Sequence, residues 1–117
     1  MDKKFIEQAK NIRREYVKNL NDVIKCEEKI NIYKKELTGI QENLLSNIEE
    51  DILKTKIMDI EKNLKYIENI MEPFRKKVKR LEKEADTLFE NIKEKYPNYT
   101  IIDIQNELIP HLKEIKF

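Results

Sequence analysis

The sequence predicts an all-α fold: a long antiparallel coiled-coil helical hairpin with a short C-terminal helix packed on its open end. From Leu53 to Ile92, apolar residues recur at alternating spacings of four and three, the heptad pattern that lets one helix lie along another. A similar pattern runs from Phe5 to Leu44, so two arms of matched length can pair. Charged residues make up 40% of the 117 residues and there is one Gly, a composition typical of long helices and too poor in turns for a β-sandwich.

The first arm is predicted to be a helix from about residue 3 to residue 45, with Asp2 as its N-cap. Its apolar seam has a polar exception at Asn19. Gly39 offers an alternative turn, because glycine often follows the last residue of a helix. The seam nevertheless continues through Ile40 and Leu44, which favours Gly39 as an interior helical residue.

The chain is predicted to reverse at about residues 46–50, because the seam shifts by one residue between the two arms. Ser46 followed three residues later by Glu49 fits a capping box at the start of a helix. The acidic residues that come next suit the positive end of a helix dipole.

The second arm is predicted to be a helix from about residue 51 to residue 96, kinked near Pro73. Pro73 lies inside the seam without shifting it, which favours a kinked but continuous helix over a break at which Pro73 starts a new one. Antiparallel pairing then joins residues whose numbers have a constant sum, and almost every layer is apolar. The layers between the turn and Pro73 include Leu37–Ile60, Tyr33–Leu64, Ile30–Ile67, Cys26–Met71 and Val23–Phe74.

A short C-terminal helix is predicted at about residues 101–115, after a turn at Tyr96–Tyr99 and with Thr100 as its cap. We expect Pro110 to bend or end it. The alternative, a strand over Thr100–Ile104, has no obvious partner strand. The apolar face of this helix must be covered, and apolar residues beside the seam at the open end are available for that purpose. The face comprises Ile101, Ile104, Leu108, Leu112 and Ile115 with Ile102 and Ile109 beside them, and the cover comprises Ile6, Val17, Leu20, Phe89 and Tyr96.

Composition and charge limit the classes of function. The formal net charge is +1, from 24 basic and 23 acidic side chains, so the chain is neither globally basic nor an acidic mimic of nucleic acid. No apolar run approaches the roughly 18 residues of a membrane span, and no apolar stretch near Met1 would make a secretory signal. We therefore expect a soluble cytoplasmic protein without a membrane partner.

The sequence contains no recognisable catalytic or metal-binding set. Cys26 falls on the seam, where we expect it to be a small buried apolar residue, and a single cysteine excludes an internal disulfide. His111 is the one histidine, and we expect it on the surface or in packing rather than in a Ser-His-Asp or Cys-His pair. We expect no enzyme activity, no cofactor, no metal and no small-molecule substrate.

A basic cluster is the sharpest local feature of the two arms. Its residues fall at one level of the predicted hairpin, where a phosphate backbone or an acidic partner can bind. The alternative is a solvated face offset by neighbouring glutamates. The cluster comprises Arg13, Arg14, Lys18, Arg75, Lys76, Lys77, Lys79, Arg80 and Lys83.

Surplus apolar residues are the remaining clue. A two-helix hairpin buries one stripe of each helix, yet seven apolar residues fall off that stripe, namely Ile24, Ile32, Ile48, Ile52, Met58, Tyr66 and Ile70. Of these, Ile32, Ile52, Tyr66 and Ile70 are the candidate partner-binding residues of the distal half, which a short C-terminal helix cannot reach. A cluster of exposed apolar side chains suggests a docking or self-association surface.

The function hypothesis is a non-enzymatic protein–protein interaction module, namely a small adaptor, assembly factor or inhibitor, or a self-associating chain. The contact surfaces would be those four residues in the distal half and the C-terminal helix. The alternative is nucleic-acid or ribosome binding through the basic cluster.

Overall fold

A computed structural model describes residues 1–44 and 50–116 of the chain. Within these residues there are three α-helices and no strand. The two long helices pack as an antiparallel hairpin and the short one packs on its open end, which confirms the predicted fold class. The helices are α1 (Lys3–Leu44), α2 (Glu50–Lys95) and α3 (Ile101–Leu112).

The helix bounds decide three of the alternatives. Helix α1 runs through Gly39 without a left-handed φ angle, so a turn at Gly39 is wrong. Helix α2 is continuous through Pro73, so a break there is wrong as well. Helix α3 begins at Ile101, where the strand alternative was considered, and it continues through Pro110.

The ends of the helices depart from the prediction in two places. Helix α3 ends at Leu112 rather than at about residue 115. The amides of Lys113 and Ile115 instead close turns onto the carbonyls of Ile109 and Leu112. The turn predicted at 46–50 lies outside the described residues, apart from Glu50, at which α2 begins.

The hairpin comprises two compact units. The distal unit is Asp22–Phe74, and the terminal unit is Met1–Asn21 together with Arg75–Phe117. The core of the distal unit contains both members of four predicted layers, as the constant sum of the paired residue numbers requires. Four of these side chains are buried (Val23, Ile30, Ile67 and Met71), and Cys26, Tyr33, Leu64 and Phe74 pack against them partly buried.

The core of the terminal unit is built by all three helices. Ala9 of α1, Leu88 and Ile92 of α2, and Ile104 and Leu108 of α3 form one buried cluster. Predicted covering residues contact this cluster, since Ile6, Phe89 and Tyr96 pack against it partly buried. Burying a large aliphatic side chain stabilises a fold by about 1.5–3 kcal/mol, so this cluster holds α3 on the hairpin.

The start of α3 is set by a capping box at Thr100, the residue predicted to cap it. The Oγ1 atom of Thr100 accepts a hydrogen bond from the Asp103 amide at 3.2 Å, and Asp103 Oδ2 accepts one from the Thr100 amide at 2.9 Å. The two residues satisfy each other's free donors, which is worth about 1 kcal/mol of helix stability.

Asn19 is the polar exception in the seam, and it is buried with 4% of its surface exposed. Its Nδ2 atom donates a hydrogen bond to the carbonyl oxygen of Glu15 at 2.7 Å, one turn earlier in α1. The side chain thus satisfies a donor within its own helix. A buried asparagine of this kind lowers stability and favours one register of the paired helices.

Polar and aromatic contacts tie the first residues of the chain to the end of α2. Lys95 Nζ donates to Asp2 Oδ2 at 2.6 Å, and the Asp2 amide donates to the Tyr96 hydroxyl at 3.0 Å. The ammonium of Lys95 also lies 5.5 Å from the centre of the Phe5 ring. The hydrogen bond from Lys95, supported by one from the Lys4 amide, lowers the pKa of Asp2. The same contact with Asp2 raises the pKa of Lys95.

Candidate interaction surfaces

The four residues predicted to contact a partner all have exposed side chains in the distal unit. Their exposed fractions are 57% for Ile32, 52% for Ile52, 66% for Tyr66 and 40% for Ile70. Side chains of this size normally lie in the core. Ile32, Tyr66 and Ile70 lie within about one helical turn of the same level, whereas Ile52 lies about 21 Å further along α2.

Heptad positions place these four side chains on the same side of the hairpin. With the seam residues as positions a and d, Ile32, Ile52 and Tyr66 are c positions and Ile70 is a g position. In an antiparallel pair the g and c positions of both helices flank the same side of the seam, because the partner helix runs in the opposite direction.

An open groove in the structure brings g and c positions of the two helices together. Glu36 and Gly39 of α1 line the groove together with Lys56 and Asp59 of α2. These are again g and c positions, and Glu36 follows Ile32 by one turn of α1. We call this side of the distal unit the distal face. It comprises Lys29, Ile32, Glu36 and Gly39 of α1 and Ile52, Lys56, Asp59, Asn63, Tyr66 and Ile70 of α2.

The opposite side of the distal unit differs in character. It carries two exposed apolar side chains, Ile24 and Met58, at b positions of the two helices. Charged side chains surround Met58, whereas Ile24 follows Leu20 by one turn of α1. Single exposed apolar residues are common on protein surfaces, so this side gives a matched control for the distal face.

Sequence analysis did not connect Gly39 of the distal face with any interaction surface. A Cβ atom built on it meets no other atom within 4 Å, so the helix surface is open at this point. The sequence signal for Gly39 is its c position, one heptad after Ile32 on the same stripe of α1. At Gly39 the floor of the groove is bare backbone.

The predicted basic cluster lies in the terminal unit, and the structure distributes it around the hairpin. Three of its residues fall at e or b positions, three at g or c positions, and three at outer f positions. No side of the unit therefore concentrates the charge. The three sets are Arg13, Arg75 and Lys79; Lys18, Lys77 and Arg80; and Arg14, Lys76 and Lys83.

Neighbouring side chains occupy part of this basic cluster. The Nε atom of Arg80 lies 3.6 Å from Glu84 Oε1, and Arg14 Nη1 donates to Asn11 Oδ1 at 3.1 Å. Both contacts are exposed and lie within one helix, so each is worth a fraction of a kcal/mol and is easily given up to a ligand.

The terminal unit also contains an apolar cavity beside α3 that the sequence did not predict. Its wall is formed by Leu108 and Leu112 of α3 and by seam residues of the long helices, where Ala9 and Ala85 leave space. Arg13 and Glu82 lie among its lining residues. The cavity measures about 260 Å³, slightly below the usual size of a ligand pocket.

The outer side of α3 is the second apolar surface of the terminal unit. Ile101, Ile102 and Ile109 are exposed there, while Ile104 and Leu108 face the core. The sequence placed Ile101 on the buried stripe, but its side chain at the start of α3 is exposed.

The residues that carry reactive chemistry remain apart from each other. Cys26 is partly buried against the core of the distal unit, and His111 is exposed on α3. Among the described residues, no group of three His, Cys, Asp or Glu side chains is arranged to hold a metal ion. In the same residues no helix combines the length and the apolar character that crossing a bilayer requires.

Comparison of the chain with protein-family models, with curated proteins and with solved structures finds no match.

Proposed function

We propose that this chain is a non-enzymatic protein–protein interaction module that presents its distal face to another protein inside the cell. The observation that carries the proposal is the placement of Ile32, Ile52, Tyr66 and Ile70 on one side of the distal unit, each at least 40% exposed. The module would act as a small adaptor, assembly factor or inhibitor, by offering a rigid helical face to its partner.

Two further features support this function. The distal face combines apolar side chains with charged ones, and protein interfaces use both kinds of side chain. The groove at Gly39 lets a partner's side chain reach the helix backbone, as ridges of one helix enter grooves of another. An interface of this kind draws most of its free energy from a few central aromatic and aliphatic residues, here Tyr66 and Ile32.

The test is affinity capture with the full-length tagged chain from its native cell, comparing variants rather than judging one captured protein. We expect Tyr66→Glu and Ile52→Glu to lose the protein that the wild-type chain retains, because a charge at a buried contact must be desolvated. Met58→Glu, equally exposed but on the opposite side, should retain it. Circular dichroism must show unchanged helicity in all three variants. Equal retention by all of them would refute the distal face as the contact surface.

Nucleic-acid or ribosome binding through the basic cluster is the second candidate. Lys77 of α2 favours it, because no acidic residue stands three or four positions before or after it. Phosphate contacts release counterions, so such binding should weaken steeply between low and moderate salt, whereas an apolar contact should not. The triple variant Lys76→Glu, Lys77→Glu, Lys79→Glu should abolish retention of RNA or DNA, and unchanged retention would reject this candidate.

A further inference from the structure

We propose that the partner of the distal face is a second copy of this chain, packed antiparallel about a two-fold axis that passes beside Ile32 and Tyr66. The inference rests on the proposed function, since it names the occupant of the same surface. It follows from two properties of the distal unit: the level at which its exposed apolar residues lie, and the order of its charges along α1.

The first property is that Ile32 and Tyr66 lie at one level of the hairpin. Both fall between the same two core layers, Ile30–Ile67 and Tyr33–Leu64. A two-fold axis across the helices at this level brings both residues of one copy against both residues of the other. Four large exposed side chains then bury each other at the centre of a self-complementary interface, as an isologous dimer requires.

The second property is the charge order along α1 on the distal face. Lys29 lies nearly one turn before Ile32, and Glu36 lies one turn after it. When α1 packs antiparallel on α1 of a second copy about this level, each Lys29 meets the other copy's Glu36. The symmetry forms this ion pair twice, once on each side of the axis.

Within one chain Lys29 and Glu36 do not pair with each other. They are seven residues apart on α1, about 10 Å along the helix, so they do not reach each other. Neither side chain forms an ion pair within residues 1–44 and 50–116. Exposed charges of this sort contribute little affinity, but they select the orientation in which two faces meet.

The same charges disfavour the parallel arrangement. A two-fold axis along the helices would lay α1 of one copy on α2 of the other at equal levels. By the constant sum of the core layers, Glu36 would then face the other copy's α2 between Asp59 and Asn63, and Lys29 would gain no acidic partner on the distal face. Like charges opposed across an interface are unfavourable, and they would be opposed twice. The antiparallel orientation is therefore the one that the distal face encodes.

The test is the mass of the full-length chain in solution, measured by sedimentation velocity over a wide range of concentrations. We expect a species of twice 14.2 kDa that dissociates on dilution. Ile32→Glu and Tyr66→Glu should raise the dissociation constant by at least about tenfold, and Met58→Glu should leave it unchanged. Far-ultraviolet circular dichroism checks that each variant keeps its helices.

A charge exchange tests the orientation. Lys29→Glu and Glu36→Lys should each weaken the dimer by about tenfold at low salt, because each creates two like-charge contacts. The double variant should recover wild-type affinity, since it restores both pairs in reverse. Such recovery requires that position 29 of one copy meets position 36 of the other.

A cysteine probe tests the axis. In a Cys26→Ser background, Ile32→Cys should form a disulfide-linked dimer under mild oxidation, because the two positions meet beside the two-fold axis. Met58→Cys in the same background should remain monomeric on a non-reducing gel.

The outcomes separate this inference from the proposed function. A chain that stays monomeric at every concentration, or a double charge variant that fails to recover affinity, overturns the self-association. If Tyr66→Glu still abolishes capture of a cellular protein by a monomeric chain, the interaction module stands and its partner is a different protein. If the dimer forms but Tyr66→Glu leaves both the dimer and the capture intact, both proposals fail.

Discussion

Replacing Gly39 with alanine should make the protein more stable, because Gly39 does not adopt a backbone conformation that requires glycine. Gly39 lies inside α1 with no left-handed φ angle, and an added Cβ meets no atom within 4 Å. Alanine is favoured over glycine in a helix interior by about 0.5–1 kcal/mol, since glycine loses more backbone entropy on folding. With a urea m-value of about 2 kcal/mol/M, the unfolding midpoint should rise by roughly 0.3–0.5 M.

Urea denaturation followed by far-ultraviolet circular dichroism measures this shift in the midpoint. Gly39→Pro is the matched control, and it should destabilise the chain by about 3 kcal/mol because proline breaks the hydrogen-bond ladder of a helix interior. If Gly39 instead formed a turn, alanine would strain that turn and lower the midpoint. A midpoint below that of the wild-type chain would therefore refute the continuous α1.

The same substitution separates stability from binding. Gly39 lies in the groove of the distal face, where an added methyl group reduces the depth available to a partner's side chain. If a partner enters this groove, Gly39→Ala should bind it more weakly although the variant is the more stable protein. An effect with opposite signs on the two quantities is not produced by a general loss of structure.

Three other substitutions test the cores and the open end. Asn19→Leu should raise the urea midpoint by an amount equal to about 1–2 kcal/mol, because it replaces a buried amide by apolar surface, and a lower midpoint would contradict this. Ile104→Ala should cost about 2–5 kcal/mol in thermal or urea unfolding, since Ile104 is fully buried, whereas Ile102→Ala, which is 66% exposed, should stay within about 0.5 kcal/mol. Asp2→Asn keeps the N-cap but removes the ion pair with Lys95, so it should lower the melting temperature slightly at neutral pH. The pKa of Asp2 is lowered in the folded state, so the difference in melting temperature should vanish as the pH falls below the usual Asp value of 3.8. The pKa of Lys95 is raised, so the difference should also vanish as the pH rises past the usual Lys value of 10.5. A difference that stays constant with pH would contradict the ion pair.

The hairpin was predictable because its pattern is redundant. Each layer, such as Ile30 with Ile67, is encoded once on each arm, so an error in one residue does not change the register. The end of α3 was not predictable with the same accuracy, because the stripe continues to Ile115 while the hydrogen bonds do not. Apolar spacing records which side chains are buried, whereas a helix end depends on which carbonyl each backbone amide reaches.

The candidate surfaces were predictable as sets of residues but not as shapes. Spacing alone shows that Ile32 and Tyr66 leave the seam, and heptad positions then give them a side. The groove at Gly39 and the cavity between α3 and the long helices depend on how far side chains of neighbouring helices extend, which no periodicity records. The even distribution of the basic cluster could have been read from its heptad positions, since residues at one level need not share one side.

The terminal unit shows what this chain does with apolar residues beside its seam. There Ile6, Phe89 and Tyr96 are covered by α3, whose own Ile104 and Leu108 are buried in the same contact. Covering one large aliphatic side chain is worth about 1.5–3 kcal/mol, and several such contacts outweigh the entropy of ordering a short helix. In the distal unit the same kinds of residue lie beside the seam, yet α3 belongs to the other unit's core and leaves them exposed. The proposed dimer would cover these side chains with the helices of a second copy.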